Sequence, residues 1–269
     1  QGLIMELYSL LSLLSDGEFH SGSELGVSLN VSRTSIWKAL GQLSDINLEI
    51  ETVKGKGYRL VNPLDLLSSS EVSEQLSPAQ LSSLELNLPF SVDSTNAWLI
   101  SNSVLGKEFN VCMAEYQTDG KGRRGRSWVS PFGRNIYLSL GFDLSGGVDA
   151  LSGLSLVVGL AVVKALKKLG VVNPQLKWPN DVLIDGKKIA GILVELQGEA
   201  TTSWRVITGI GLNVAMNDNE GRDIDQPWAR LRDYVDDSRS KIAGVLIAEL
   251  LEVFTEFKSK GFAGFIDEW

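Results

Sequence analysis

The stretch KWPNDVLIDGKKIAGILVEL, residues 177–196, decides the fold class of the larger part of the chain. Apolar runs at 182–184 and 190–196 flank Ile184-Asp185-Gly186-Lys187, a turn sequence that joins adjacent antiparallel strands. Further strands are predicted at 89–92, 111–117, 136–142, 176–178 and 205–214, and helices at 94–103, 150–169 and 240–260. Because strands outnumber helices and neighbouring strands form hairpins, the pattern predicts an α+β fold with a mixed sheet.

The first 63 residues show a different pattern, three helices followed by a hairpin. The third helix is predicted at 33–43, where Ser32 can cap its start, and its apolar positions are Ile36, Trp37, Leu40 and Leu43. Alternating residues at 48–53 and a second run at 58–61 flank a Lys-Gly-Lys-Gly turn. This order is typical of a winged helix-turn-helix domain, predicted at 1–63. Residues 64–83 are predicted to be a linker with one short helix, and residues 84–269 the larger domain.

Composition excludes several classes of protein. The chain of 269 residues is 43% hydrophobic and 22% charged, which is typical of a globular protein and not of a disordered one. The single cysteine, Cys112, cannot form an intrachain disulfide. The longest charge-free apolar run, residues 150–163, is too short to span a bilayer and predicts a buried helix. No signal peptide is recognisable, so we expect a cytoplasmic protein without a membrane partner.

A glycine- and arginine-rich segment, residues 120–128, is the strongest candidate for an anion-binding loop. Residues 115–134 carry five basic and two acidic side chains, in a chain whose net charge is −8. Glycine lets the backbone present N–H groups to an anion, and arginine offers a planar fork for phosphate or carboxylate. Trp128, at the end of the segment, could stack on a purine. A solvated basic loop without a ligand is the alternative interpretation.

Four further segments place polar side chains or glycines beside predicted strands. They are Lys177-Trp178-Pro179-Asn180-Asp181, Lys187-Lys188-Ile189-Ala190-Gly191, Gly209-Ile210-Gly211-Leu212-Asn213 and Asp93-Ser94-Thr95-Asn96. Glycine weakens a strand interior, so paired glycines indicate close approach of a ligand or of other backbone. Taken alone, these segments could equally be a turn, an exposed lysine and an ordinary helix cap.

Other chemistries have little support in the sequence. The only histidine, His20, lies in the N-terminal domain, which excludes a Ser-His-Asp triad or a histidine-rich metal site in the larger domain. A Walker-type phosphate loop is absent, and residues 120–125 lack the strand–helix context of a dinucleotide-binding fingerprint.

In this order, the segments resemble the bifunctional bacterial biotin–protein ligases that are also biotin operon repressors, and the resemblance covers essentially the whole chain. It implies a catalytic domain of the biotin/lipoate ligase, class II synthetase-like, type. Biotin would react with ATP, with Mg²⁺, to give biotinyl-5′-AMP, and the biotinyl group would pass to a lysine of the biotin carboxyl carrier protein of acetyl-CoA carboxylase. The family usually continues into a small SH3-like domain. This chain stops at Trp269, about where that domain would begin, so we expect it to be absent.

The resemblance also assigns roles to individual residues. Expected biotin-binding residues are Ser94, Thr95, Asn96, Gln117, Lys121, Gly122, Arg123, Lys188, Gly191 and Gly209. Expected ATP or adenylate contacts are Arg123, Arg124, Arg126, Trp128, Lys188 and Asn213. Lys188 and Arg123, with Lys177 and Asp181 near the reacting centre, are the expected catalytic residues, and no metal ligand is identified. Lys121 stands where the family commonly has arginine, and lysine lacks the bidentate fork.

In the repressors of this family, the adenylate promotes a homodimer that binds operator DNA. The expected groove contacts are Arg33, Thr34, Ser35 and Lys38, and Lys54 and Lys56 in the hairpin would contact phosphates. Three alternatives stay open: a lipoate– or octanoate–protein ligase, a non-catalytic repressor that senses biotin or its adenylate, and a helix-turn-helix domain without DNA-binding activity.

Overall fold

The computed structural model describes residues 2–102, 106–199 and 203–268. They divide into two compact units. The first contains Gln1–Leu66 and Pro131–Arg134, and the second contains Leu67–Ser130 and Asn135–Trp269.

The first unit is a helix-turn-helix with a β-hairpin wing. Its helices are α1 (Gly2–Leu14), α2 (Gly22–Leu29) and α3 (Arg33–Leu43), followed by a short 3₁₀ turn and the antiparallel strands β1 (Ile50–Val53) and β2 (Gly57–Leu60). The Ser32 side chain accepts a hydrogen bond from the Ser35 N–H and so caps α3 where the sequence predicts. The predicted bounds of α3 and the winged helix-turn-helix fold are confirmed.

Trp37 departs from its predicted place in the core of this unit. Ile36, Leu40 and Leu43 are buried as expected, but Trp37 lies on the exposed side of α3. Successive residues of a helix are separated by about 100°, so Trp37, next to Ile36, lies outside the buried stripe that runs through positions 36, 40 and 43.

The second unit is built on one seven-stranded sheet. Residues 67–83 contain two short helices, α4 (Ser69–Ser73) and α5 (Pro78–Ser83), where the sequence predicts one. The sheet order is β3-β5-β7-β11-β10-β9-β8. These strands are β3 (Leu84–Asn87), β5 (Phe109–Ala114), β7 (Ile136–Ser145), β8 (Gln175–Lys177), β9 (Asp181–Ile184), β10 (Lys187–Glu199) and β11 (Ser203–Leu212). Only β3 and β5 are parallel, so the mixed α+β sheet is confirmed.

Beside the main sheet, the second unit contains a small sheet and a helix. A separate two-stranded sheet pairs β4 (Ser91–Val92) with β6 (Tyr116–Gln117), and α6 (Thr95–Asn102) follows β4. The sequence misses β3 and places a longer strand at 89–92. The last residue of the helix predicted at 94–103 lies outside the described residues.

One face of the sheet is covered by α7 (Leu154–Lys168) and α8 (Arg239–Lys260), and their apolar residues form the main core with every second residue of the strands. By length and composition alone, one helical segment in the described part of the chain, Asp149–Lys168, could cross a membrane. Half of its most apolar window is buried within the structure, as also occurs in core helices. The opposite face of the sheet carries α6 and the candidate site.

Candidate functional site

The floor of the site is formed where three glycines lie on the adjacent strands β10 and β11. Gly191 of β10 is paired with Gly211 of β11, and the next row toward the middle of the sheet contains Leu193, Gly209 and Ser139. Side chains in register on adjacent strands point to the same face, so the three glycines leave a depression in the sheet.

A polar cluster closes one end of this depression. The backbone N–H and the hydroxyl of Thr95 both donate to Gln117 Oε1, at 3.0 and 3.2 Å. The Gln117 amide then donates to Ser130 Oγ at 3.1 Å, so its orientation is fixed from both sides. Ser139 Oγ lies 2.7 Å from the Thr95 hydroxyl. Thr95, at the start of α6, lies near Gln117 of β6 because the pairing of β4 with β6 brings residues 91–92 beside 116–117.

Asn96 connects the cluster to the sheet. Its amide donates to Glu195 Oε2 at 2.6 Å, and its Oδ1 lies 2.5 Å from Ser139 Oγ. A Cβ at Gly209 would come within 2.5 Å of Asn96 Oδ1. Glycine at this position is therefore needed for the buried Asn96 side chain to lie on the strand.

The glycine- and arginine-rich segment folds back on itself above the floor. Trp128 N–H donates to Gly120 O at 2.8 Å, and Gly122 N–H donates to Arg126 O at 2.7 Å. Arg124 adopts a left-handed conformation, with φ of 57°, at the tip of the loop. These backbone bonds make the loop a short hairpin whose basic side chains are exposed or half exposed.

Trp128 lies directly on the glycine floor. A Cβ at Gly211 would come within 2.3 Å of its Cε2 atom, and a Cβ at Gly191 within 2.7 Å of its Cζ3 atom. The indole N–H is buried and has no acceptor among the described residues. An unpaired buried donor is costly, so the position suits a ligand that supplies an acceptor.

Lys188 lies at the centre of the site. Its ammonium forms an ion pair with Asp181 at 2.9 Å and lies 5.3 Å from the centre of the Trp128 ring. Both side chains of the ion pair are more than 80% buried, at 15% and 18% exposed. Nearby, Arg123 Nη1 donates to Asn180 Oδ1 at 3.0 Å and ties the basic loop to the turn before β9.

These features surround a cavity of about 160 Å³. It brings together fourteen of the residues predicted for the larger domain: Ser94, Thr95, Asn96, Gln117, Lys121, Gly122, Arg123, Arg126, Trp128, Asp181, Lys188, Gly191, Gly209 and Asn213. Lys177 and Arg124 do not line it. Lys177 is exposed on β8, and Arg124 lies on the outer side of the basic loop.

The chain resembles known proteins over both units. Residues 90–213 match the biotin/lipoate A/B protein ligase family, and residues 6–59 match a helix-turn-helix (HTH) domain. Over 261 residues, 97% of this chain and 80% of the relative, it is 40% identical to the bifunctional ligase/repressor BirA of Escherichia coli (strain K12). The chain belongs to the biotin/lipoate protein ligase family.

Two further relatives agree with this assignment. The biotin–[acetyl-CoA-carboxylase] ligase of Mycobacterium tuberculosis is 37% identical over 200 residues, 71% of each chain. Among solved structures, the biotin protein ligase from Aquifex aeolicus in complex with biotin and ATP aligns with a TM-score of 0.56 and 31% identity, over 68% of this chain and 76% of that chain.

In this member of the biotin/lipoate protein ligase family, one side of the cavity is formed by residues that no sequence motif indicates. They are Asp223, Ile224, Asp225, Gln226 and Trp228. Lys188 N–H donates to Pro227 O, and Ala229 N–H donates to Lys188 O, both at 2.9 Å. The segment is polar and aperiodic, and Trp228 is the one sequence signal that could have marked it.

Tyr137 on β7 also lines the cavity, and no sequence motif indicates it. Burial raises the pKa of its hydroxyl well above the ordinary value, and the charge of Glu115 acts in the same direction although that of Arg239 opposes it. The phenol therefore stays protonated and cannot serve as a base near neutral pH.

The predicted DNA contacts lie on the first unit. Arg33, Thr34 and Lys38 are exposed on α3, whereas Ser35 is half buried and its hydroxyl lies 2.9 Å from that of Ser32. In the wing, Lys54 and Lys56 are exposed at the turn between β1 and β2.

Proposed function

We propose that this protein is a bifunctional biotin–protein ligase and biotin-dependent repressor. It would activate biotin with ATP to biotinyl-5′-AMP, transfer the biotinyl group to a lysine of the biotin carboxyl carrier protein, and bind operator DNA through its helix-turn-helix unit. The observation that carries the enzymatic part is the buried Lys188–Asp181 ion pair between the polar cluster and the Trp128-covered glycine floor.

The two ends of the cavity suit the two substrates. The Thr95–Gln117 cluster offers hydrogen-bonding groups already held in place, which suits the polar ureido ring of biotin. The other end offers a flat indole with an unpaired N–H and, nearby, the side chain of Asn213, which suits adenine. Lys188 lies between them, where the biotin carboxylate would meet the α-phosphate.

The reaction needs positioning and charge stabilisation more than covalent help from the protein. A biotin carboxylate oxygen attacks the α-phosphorus, the bond to the β-phosphate breaks, and pyrophosphate leaves. Lys188 and Arg123 would offset the negative charge that develops on the phosphate oxygens. Asp181 would hold the Lys188 ammonium in place through the 2.9 Å contact. In the second step, the carrier lysine attacks the acyl carbon and AMP leaves.

Mg²⁺ would accompany ATP and neutralise part of the phosphate charge. Within the described ranges, no cluster of three or more histidine, cysteine, aspartate or glutamate side chains forms a metal site. Asp181, Asp223 and Asp225 nevertheless line the cavity, and carboxylate oxygens are suitable Mg²⁺ ligands. We therefore expect phosphate and water to supply most of the ligands, with one or two of these carboxylates.

Dimerisation promoted by the adenylate is part of the proposal. The antiparallel pairing of β9 with β10 stops at Gly191, so in the described part of the chain residues 193–199 of β10 have only β11 as a strand partner. An open strand edge supports pairing with a second copy. Sedimentation velocity with and without biotin and ATP tests this step, and an unchanged monomer with both substrates would contradict it.

Activity on a carrier protein and on DNA is consistent with a cytoplasmic location.

Biotin-dependent exchange of pyrophosphate into ATP tests the enzymatic proposal directly. The full chain should catalyse exchange with biotin and not with lipoate or octanoate. Exchange with lipoate or octanoate instead would overturn the substrate assignment. Saturable biotin binding without exchange would favour the non-catalytic repressor.

Replacing Lys188 with alanine tests its role, with Lys187→Ala as the matched control. Lys187 is the preceding residue, is exposed and does not line the cavity. We expect Lys188→Ala to lower the exchange rate by about 10²–10³-fold, the usual effect of removing one group that stabilises transition-state charge. Lys187→Ala should leave the rate within about twofold. Equal rates for both variants would show that Lys188 has no catalytic role.

A further inference from the structure

Helix α3, on which the expected groove contacts lie, carries a large apolar side chain that the first unit leaves uncovered. Trp37 is 67% exposed, whereas its neighbour Ile36 is 2% exposed. Gly41 follows one turn later on the same side, and no heavy atom lies within 4 Å of the position a Cβ would take there. An exposed indole is unfavourable in water, and its apolar surface is available to a partner.

The charge of the same helix face indicates the kind of partner. Arg33, Thr34 and Lys38 are exposed beside Trp37, and α3 contains no carboxylate. A polyanion is therefore attracted to this face, whereas a second copy of α3 would bring like charges together.

We propose that Trp37 is a base-reading residue whose indole packs against the C5-methyl group of a thymine in the major groove of duplex DNA. The inference rests on the proposed DNA binding by α3 and adds a residue that determines sequence preference. The thymine methyl is the apolar feature of the major-groove edges, so it is the natural contact for an apolar ring between a lysine and an arginine. Arg33, Thr34 and Lys38 supply polar and phosphate contacts, which Trp37 cannot replace because the indole is uncharged and has a single N–H donor.

The experiment first selects duplexes from a randomised DNA library with the full chain, biotin, ATP and Mg²⁺. Each conserved thymine of the selected duplex is then replaced by deoxyuridine, which removes only the methyl group. Affinities are measured by fluorescence anisotropy for the wild type, for Trp37→Ala, and for Val61→Ala. Val61 is the matched control because it is also an exposed apolar residue, 48% exposed, but lies outside α3.

At one thymine position, replacement by deoxyuridine should lower the affinity for the duplex, both in the wild type and in Val61→Ala. The expected loss is about fourfold per half-site, which corresponds to the ~0.8 kcal/mol of one buried methyl group. Trp37→Ala should bind thymine and deoxyuridine duplexes equally. Its biotin-dependent pyrophosphate exchange and circular dichroism should match the wild type, which excludes misfolding.

Two results would overturn the inference, and they differ in what else they overturn. If Trp37→Ala keeps the wild-type sensitivity to deoxyuridine, or if the wild type has none, Trp37 does not contact a thymine methyl, and the proposed DNA binding stands. If the wild type enriches no sequence and binds no duplex while its exchange activity is intact, the proposed repressor function fails together with this inference.

Discussion

Replacing the buried Arg239 with methionine should destabilise the catalytic unit strongly. Arg239, at the start of α8, is fully buried. Its Nη1 donates to Glu115 Oε2 at 2.7 Å, and its Nη2 donates to Asn135 O at 2.7 Å. The other Glu115 oxygen accepts from Leu67 N–H at 2.6 Å. The ion pair thus connects α8, the end of β5 and the first residue of the unit.

The expected magnitude follows from the charge that is left behind. Methionine keeps much of the volume of Arg239 but leaves the Glu115 carboxylate, only 3% exposed, without its counter-ion. Breaking a buried ion pair in this way costs about 3–5 kcal/mol, which in a unit of this size lowers the melting temperature by about 6–20 °C. The double variant Glu115→Gln with Arg239→Met removes both charges, so it should be less destabilised than the sum of the single variants.

Urea unfolding followed by tryptophan fluorescence measures these differences in the catalytic unit, because among the tryptophans of the described ranges only Trp37 lies outside it. The same variants give a functional readout. The Asn135 side chain accepts from Val214 N–H at 2.9 Å, next to the cavity residue Asn213, so Arg239→Met should raise the KM for ATP more than that for biotin. A loss below about 1 kcal/mol for Arg239→Met, or additive effects in the double variant, would show that the Glu115–Arg239 ion pair does not stabilise the unit in this way.

Two other perturbations have definite expected outcomes. A Cβ at Gly211 would come within 2.3 Å of Trp128, so Gly211→Ala should displace the indole from the floor of the site. Overpacking of this kind costs ~1–3 kcal/mol, so ATP binding should weaken about 5- to 150-fold. Calorimetric titration checks this against Gly147→Ala, where no heavy atom lies within 4 Å, and equal ATP affinities would contradict it. In the helix-turn-helix unit, burial tends to raise the pKa of Asp16, but hydrogen bonds from the Glu18 N–H and His20 outweigh this and lower the pKa below its ordinary 3.8. The ionised carboxylate therefore stabilises the unit at pH values above 3.8, and this stabilisation is lost as the pH falls through the lowered pKa. In Asp16→Asn, the free energy of unfolding should therefore fall less steeply as the pH is lowered into the acid range. An unchanged dependence on pH would exclude a contribution from Asp16.

The parts of the fold that the sequence predicts correctly depend on local signals. Helix α3 has both predicted bounds because the Ser32 cap marks its start and a regular apolar stripe continues to Leu43. The hairpin of β9 and β10 follows from the Asp185-Gly186 turn between two apolar runs. The glycines at 191, 209 and 211 predict close approach of a ligand or of other backbone, and in the structure the side chains of Asn96 and Trp128 are the groups that approach them.

The parts that it misses depend on contacts between distant residues. Glu115 and Arg239 are 124 positions apart, and neither position has a local pattern that indicates a buried ion pair. Lys177 and Asp181 are close in sequence and paired across a hairpin, yet only Asp181 lines the cavity. Asp181 is on β9, the strand next to β10, whereas Lys177 is on β8, one strand further from Lys188.

The backbone around Lys188 explains why the polar segment 223–228 belongs to the site. The register between β9 and β10 shifts between Lys188 and Ala190, and β11 ends opposite Ala190. Beyond that point Trp228 pairs with Lys188 as a single parallel bridge, in the place that a continuation of β11 would occupy. The segment is thus held by the same residue whose ammonium faces the cavity. Lys188→Ala keeps the backbone hydrogen bonds to residues 227 and 229, so it should remove the catalytic charge without releasing the segment. Proline at position 188 would also lose the N–H bond to Pro227, so it should disturb the segment as well as the charge.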